Sequence, residues 1–149
     1  DTYTVATKDV SMILLIVAGA GALKQIFTDT GVSQTIAESL KTWDMHPLIL
    51  AWLITSVIRV CVGSATVAGL TTAGIIAPLV TTMNVDPNLL VLSIGAGSLM
   101  FSHFNDGGFW LYKEFFNVSI KDTIKSWSLM ETIVAVAGLV GVLILDLFV

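Results

Sequence analysis

Residues 47–83 read PLILAWLITSVIRVCV, then GSAT, then VAGLTTAGIIAPLVTTM: two apolar runs separated by the small polar tetrad Gly63, Ser64, Ala65 and Thr66. A helix needs about 20 apolar residues to cross the hydrocarbon core, and each run is near or below that length. Two readings are open. The segment is either a pair of short spans or one re-entrant hairpin that enters and leaves on the same face. Irregular backbone at membrane depth is tolerated only where protein or a water-filled cavity surrounds it. The tetrad is too short to reach out of a membrane, and Thr71, Thr72, Thr81 and Thr82 dilute the second arm. These features favour the hairpin, over residues 47–83.

The rest of the chain supports an all-α integral membrane fold. It has 149 residues, 55% hydrophobic and 12% charged, against about 25% charged in a soluble domain. So few charges cannot cover a water-facing surface. The mean hydropathy of +0.89 agrees. The net charge of −4 gives no reason to expect nucleic-acid binding. The chain begins at Asp1, without an initiator Met or a basic leader, and is read as a piece of a larger protein. The single cysteine, Cys61, sits in an apolar run and reads as a small buried hydrophobe.

Upstream, residues 10–23 form an apolar run containing Gly19, Ala20, Gly21 and Ala22, followed by Lys24. Within residues 28–46, Ile36, Leu40 and Trp43 recur at helical spacing among charges, which predicts an interfacial amphipathic helix. Downstream, residues 88–116 read as one helix broken in its middle or lower third. A first part, residues 89–101, stops at Ser102-His103-Phe104-Asn105-Asp106-Gly107-Gly108. Residues 117–127 read as a second interfacial stretch, and residues 129–149 as the cleanest span. Lys8, Lys113, Lys121 and Lys125 then share one face, which the positive-inside rule makes cytoplasmic, so the hairpin opens from outside.

Three interruptions carry candidate chemistry. The first is the hairpin tip. A helix starting near Ser64–Thr66 would point free N–H groups into the membrane interior, which suits an anion. Ser64 and Thr66 add hydroxyls, and Gly63 permits close approach. The competing reading is close packing through small residues. Arg59, about one turn away, is costly to bury. It either binds a substrate carboxylate or pairs with an acid elsewhere in the intact protein.

The second interruption is the break, with Ser98, His103, Asn105 and Asp106. Histidine titrates near neutral pH, so His103 or Asp106 can carry a proton coupled to transport. Asn105 offers donors and acceptors to a polyol. The competing reading makes Asp106 or Asn105 the cap of the following helix. The third is Lys24, which either reaches an anion or snorkels to the headgroups.

No enzyme is expected. His103 and Asp106 lack the further ligands that a metal site needs. Spacing alone does not make Ser98 and His103 a catalytic pair, and there is no Gly-x-x-x-x-Gly-Lys loop. No cofactor is implied.

The stretch VAGAGALKQ at residues 17–25, RVCVGSATVA at 59–68, GAGSLMFSHFNDGGFW at 95–110 and SWSLMETI at 126–133 resemble, in order and spacing, the gluconate permease family. The resemblance covers nearly the whole chain. It implies the C-terminal third of a bacterial inner-membrane symporter that moves gluconate or a related sugar acid with protons. It also implies one half of an inverted-repeat transporter with opposed re-entrant hairpins, a homodimer and an elevator-like motion. On that reading Gly63, Ser64, Thr66, Ser98, Asn105, Arg59 and Lys24 serve the substrate, and His103 and Asp106 the proton. The alternatives are a passive organic-anion channel or facilitator, and a structural membrane subunit.

Overall fold

The computed structural model describes residues 45–77, 80 and 85–149, together with isolated positions before residue 45. The expected interfacial helix around Trp43, the apolar run at 10–23 and Lys24 lie outside the described residues.

Among the described residues from 45 onward there are five helices. Helix α1 (Pro47–Val62) starts on Pro47, whose missing N–H is no loss in a first turn. It ends at Gly63, in the left-handed region at φ 76°, with the Gly63 N–H closing on the Arg59 carbonyl. Ser64 then caps helix α2 (Ala65–Ile76), its hydroxyl accepting from the Val67 N–H at 3.3 Å. The corner therefore uses two residues, and α1 and α2 pack against each other.

Helix α3 (Pro87–Gly97) has Pro87 in its first turn and Asp86 as its cap, accepting from Asn88 N–H at 2.7 Å. The periodicity predicts helix to residue 101, but α3 stops at Gly97. The Ser98 hydroxyl takes the Gly95 carbonyl at 2.7 Å, two tighter backbone turns follow, and Phe101 adopts a positive φ of 39°. Helix α4 (Gly107–Phe116) opens on Asp106 and ends at Asn117, which has a positive φ of 49°.

Helix α5 (Ile120–Leu145) merges what the sequence divides into an interfacial stretch and a span. It contains a π-helical turn at Ile124–Ser128, closed by the Leu129 N–H on the Ile124 carbonyl. Thr123 and Ser128 are both fully buried, five residues apart. In a regular α-helix such positions point about 140° apart, so the extra residue in the turn brings them to one side. The apolar run and the polar stretch can thus share one helix without turning Lys121 and Lys125 inward; both are exposed. At 26 residues, α5 is about 39 Å long against a hydrocarbon core of about 30 Å. It is the one helix among the described residues long and apolar enough to cross a membrane.

The core lies where α1, α3 and α5 meet. Leu48, Ala51, Ile76, Leu89, Leu90, Ile94 and Val142 form one buried cluster. Polar tethers run across it: Ser93 Oγ donates to the Leu48 carbonyl at 2.5 Å, and Trp52 Nε1 to the Ala135 carbonyl at 3.0 Å. Backbones approach closely at small residues. A Cβ on Gly97 would lie 2.5 Å from the Trp52 carbonyl oxygen, and one on Gly138 would lie 2.8 Å from Ala96 Cβ. By contrast, the outer faces carry exposed Val91, Leu92, Ile133, Val140 and Ile144.

This packing makes a pair of glycines separable. Gly97→Ala should lower stability by roughly 1–3 kcal/mol through overpacking. Gly95→Ala, where nothing lies within 4 Å, should be neutral or mildly stabilising through helix propensity. Thermal melts of the purified protein in detergent read the difference, and equal behaviour of the two variants would contradict the packing.

Candidate functional site

The corner and the break meet. Gly63 sits so close to Asn105 that an added Cβ would fall on the Asn105 backbone carbonyl. Asn105 Nδ2 in turn donates to the carbonyls of Val60, at 2.9 Å, and Cys61, at 3.3 Å. The last carbonyls of a helix have no partner of their own, so the break caps the end of α1. Two interruptions separated by some forty residues of sequence become one locus.

Arg59 lies beneath this contact. Its side chain is 3% exposed. Nη2 donates to Asp106 Oδ2 at 2.6 Å and reaches Glu131 Oε2, on α5, at 3.5 Å. Asp106 is held from several sides. The Ser102 hydroxyl donates to Oδ2, and Gly108 N–H donates to Oδ1 at 2.9 Å as α4 begins. Ser102 Oγ accepts from Trp127 Nε1 at 2.9 Å, out of the π-turn of α5. A chain of polar contacts thus runs from Trp127 through Ser102, Asp106 and Arg59 to Glu131. Among the described residues Arg59 Nε and Nη1 are buried without a partner, which leaves three of the five guanidinium N–H groups uncommitted there.

The remaining candidates divide. Ser64 Oγ is engaged as the α2 cap. Thr66 is exposed on the first turn of α2. Ser98 is almost fully buried, its hydroxyl turned back on Gly95 and its Cβ beside Gly69 of α2. His103 stacks on Phe104 at 5.1 Å and meets the edge of Phe101 at 5.5 Å; its Nδ1 is buried and, among the described residues, unpartnered. Cys61 is exposed, not the buried hydrophobe its apolar surroundings suggest. Of the two roles left open for Arg59, a substrate carboxylate or an acid elsewhere in the protein, the described residues supply two acids, Asp106 and Glu131. Glu131, Ser102 and Trp127 complete the cluster and are not among the residues singled out from sequence. For Glu131 the signal was present: an acid inside an apolar run is by default a functional candidate.

Short apolar helices that end inside the fold, around a buried cluster of charges, are features of membrane transport proteins. The chain belongs to the GntP family of permeases, whose model matches residues 1–148. It is 50% identical over 147 residues to a high-affinity gluconate transporter of Escherichia coli K12, covering 99% of this chain and 34% of that protein. It is 46% identical over 149 residues to a gluconate permease of Bacillus subtilis 168, covering 100% of this chain and 33% of the relative. It is 42% identical over 137 residues to the Gnt-II system L-idonate transporter of E. coli K12, covering 92% of this chain and 31% of the relative. The chain therefore spans about a third of the length of these relatives. No solved structure matches it.

Removing one partner of a buried charge cluster leaves the others uncompensated, at a cost of roughly 3–5 kcal/mol. Arg59→Met should lose stability of that order. Adding Glu131→Gln to it should recover part of the loss, with a coupling of roughly 0.5–3 kcal/mol in a double-mutant cycle. Thermal melting of the four proteins measures it, and strict additivity would show that Arg59 and Glu131 do not interact.

Proposed function

We propose that this segment forms part of the substrate and proton path of a proton-coupled sugar-acid transporter in the bacterial inner membrane. The observation that carries the reading is the junction of the Gly63–Ser64 corner with the break at Asn105, above a buried Arg59 that keeps uncommitted donors. The names of the relatives, gluconate and L-idonate transporters, point to the substrate class. A sugar acid offers a carboxylate for a guanidinium and hydroxyls for Asn105, Ser64 and Thr66.

On this reading α1 and α2 form a re-entrant hairpin over residues 47–83. At 16 and 12 residues, they are about 24 and 18 Å long, short of a core of about 30 Å. Residues 88–116 are the broken helix facing the hairpin tip, and residues 129–149 the last span. Inverted repeats and a homodimer belong to the same proposal, as does Lys24 as a second cation for the anion. The proton is carried near the break. His103, whose Nδ1 is buried and unpartnered among the described residues, and Asp106, at the centre of the charge cluster, lie along that path.

In proteoliposomes the intact protein should concentrate gluconate under an inward proton gradient, and a protonophore should abolish this. Uptake that ignores the protonophore would identify a passive facilitator. Gluconate should also raise the melting temperature of the purified protein, since saturation at 100 times Kd stabilises by about 2.7 kcal/mol. Ser64→Ala and Thr66→Ala should weaken uptake at unchanged expression. The loss of the Ser64 cap alone costs about 1 kcal/mol, so expression has to be measured in parallel. Normal uptake by both variants would remove the tip from the site.

A further inference from the structure

Arg59, Asp106 and Glu131 bring one positive and two negative groups together in a nearly closed volume; the side chains are 3%, 17% and 14% exposed. The two carboxylates are not equivalent. Asp106 receives donors on both oxygens, from Arg59, Ser102 and Gly108. Among the described residues Glu131 has a single contact, at 3.5 Å, to the Nη2 that Asp106 already holds at 2.6 Å. An ionised Asp106 is fully served. An ionised Glu131 is the surplus charge.

The geometry points to Glu131, and not the fully bonded Asp106, as the group that takes up the transported proton, with the carboxylate of the substrate taking the guanidinium of Arg59 in its place. This inference rests on the reading of the chain as part of a proton-coupled sugar-acid transporter. The proton comes from water on the side where substrate enters, forms an O–H bond on the Glu131 carboxyl, and returns to water on the other side. With both acids ionised, a bound sugar acid would set three negative charges around one guanidinium. With Glu131 protonated, proton and monoanion arrive together, and the net charge of the cluster remains −1 throughout. If the proton favours the anion, the anion must favour the proton to the same degree, and that reciprocity is symport. The donors for the incoming carboxylate are Arg59 Nε and Nη1, buried and unpartnered.

Among the described residues, the charged groups facing Glu131 are Arg59 from α1 and Asp106 from the break. Helix α3, which packs along α5, contains no ionisable side chain. Lys113 and Glu114 of α4 pair with each other at 2.7 Å.

The test uses the intact permease in proteoliposomes with gluconate as the probe. Wild type should exchange gluconate without a gradient and concentrate it with one. Glu131→Gln should keep exchange, lose the pH dependence of that exchange, and lose concentrative uptake. Concentrative uptake by Glu131→Gln at the wild-type level would overturn the inference and leave the transport reading standing. Indifference of the wild type itself to the proton gradient would remove the transport reading, and the inference with it. Infrared difference spectra add a readout that does not depend on the glutamine variant folding. Gluconate binding to wild type should produce a protonated-carboxyl band, and Glu131→Asp should shift it. A missing band, or one that Glu131→Asp leaves in place, would overturn the assignment to Glu131.

Discussion

A guanidinium buried to 3% exposure is the constraint on which the rest of this fold depends. An unpaired charge in that position would cost several kcal/mol, a large share of the roughly 5–15 kcal/mol by which proteins are stable. The chain must therefore deliver carboxylates to Arg59, and it takes them from two places. Asp106 comes from the break, so α3 has to stop early and let residues 98–106 turn back over the end of α1. Glu131 comes from α5, so the longest helix has to lie across the same point. One charge thereby fixes where three separate elements meet.

Small residues make that meeting possible. Close packing and polar contacts hold these apolar helices together. Gly97 lets α3 approach the backbone of α1, and Gly138 lets α5 approach α3. Gly63 does two things in one position. Its left-handed φ turns the chain, and its missing side chain leaves room for the Asn105 backbone. Packing and corner geometry are thus not alternatives at the tip; the same glycine supplies both.

Much of this was legible in the sequence. The apolar runs, the tetrad at residues 63–66 and the polar break stand out because lipid-facing helices tolerate few such residues, and the start of α1 and the corner lie where composition puts them. The end of α3 was not legible. Residues 98–101 are apolar enough to continue a helix, and instead the backbone tightens into two turns after Gly97 and reaches a positive φ at Phe101, a choice local propensity does not encode. The single helix α5 was hidden for another reason: its polar and apolar halves differ in composition, and a π-turn joins them. Asp106 and Asn105 were visible as polar groups at depth, but their partners were not. Nothing in sequence spacing brings Asn105 to the carbonyl of Val60, or Glu131 to Arg59 across 72 positions.

The two described interruptions also differ in what they leave unspent. Ser64 and Asn105 are committed to capping, the first to α2 and the second to α1. Asp106 is committed to Arg59, Ser102 and the start of α4. A group that already has all its hydrogen bonds loses them when it binds something else, so such residues shape a site more readily than they operate it. Among the titratable side chains of the described residues, what remains uncommitted at the junction is three of the five N–H groups of one guanidinium, one loosely held carboxyl on α5 and one imidazole nitrogen beside aromatic rings. The polar residues that are conspicuous in the sequence build the junction. The capacity to bind and release a charge lies with the groups that the junction leaves incompletely paired.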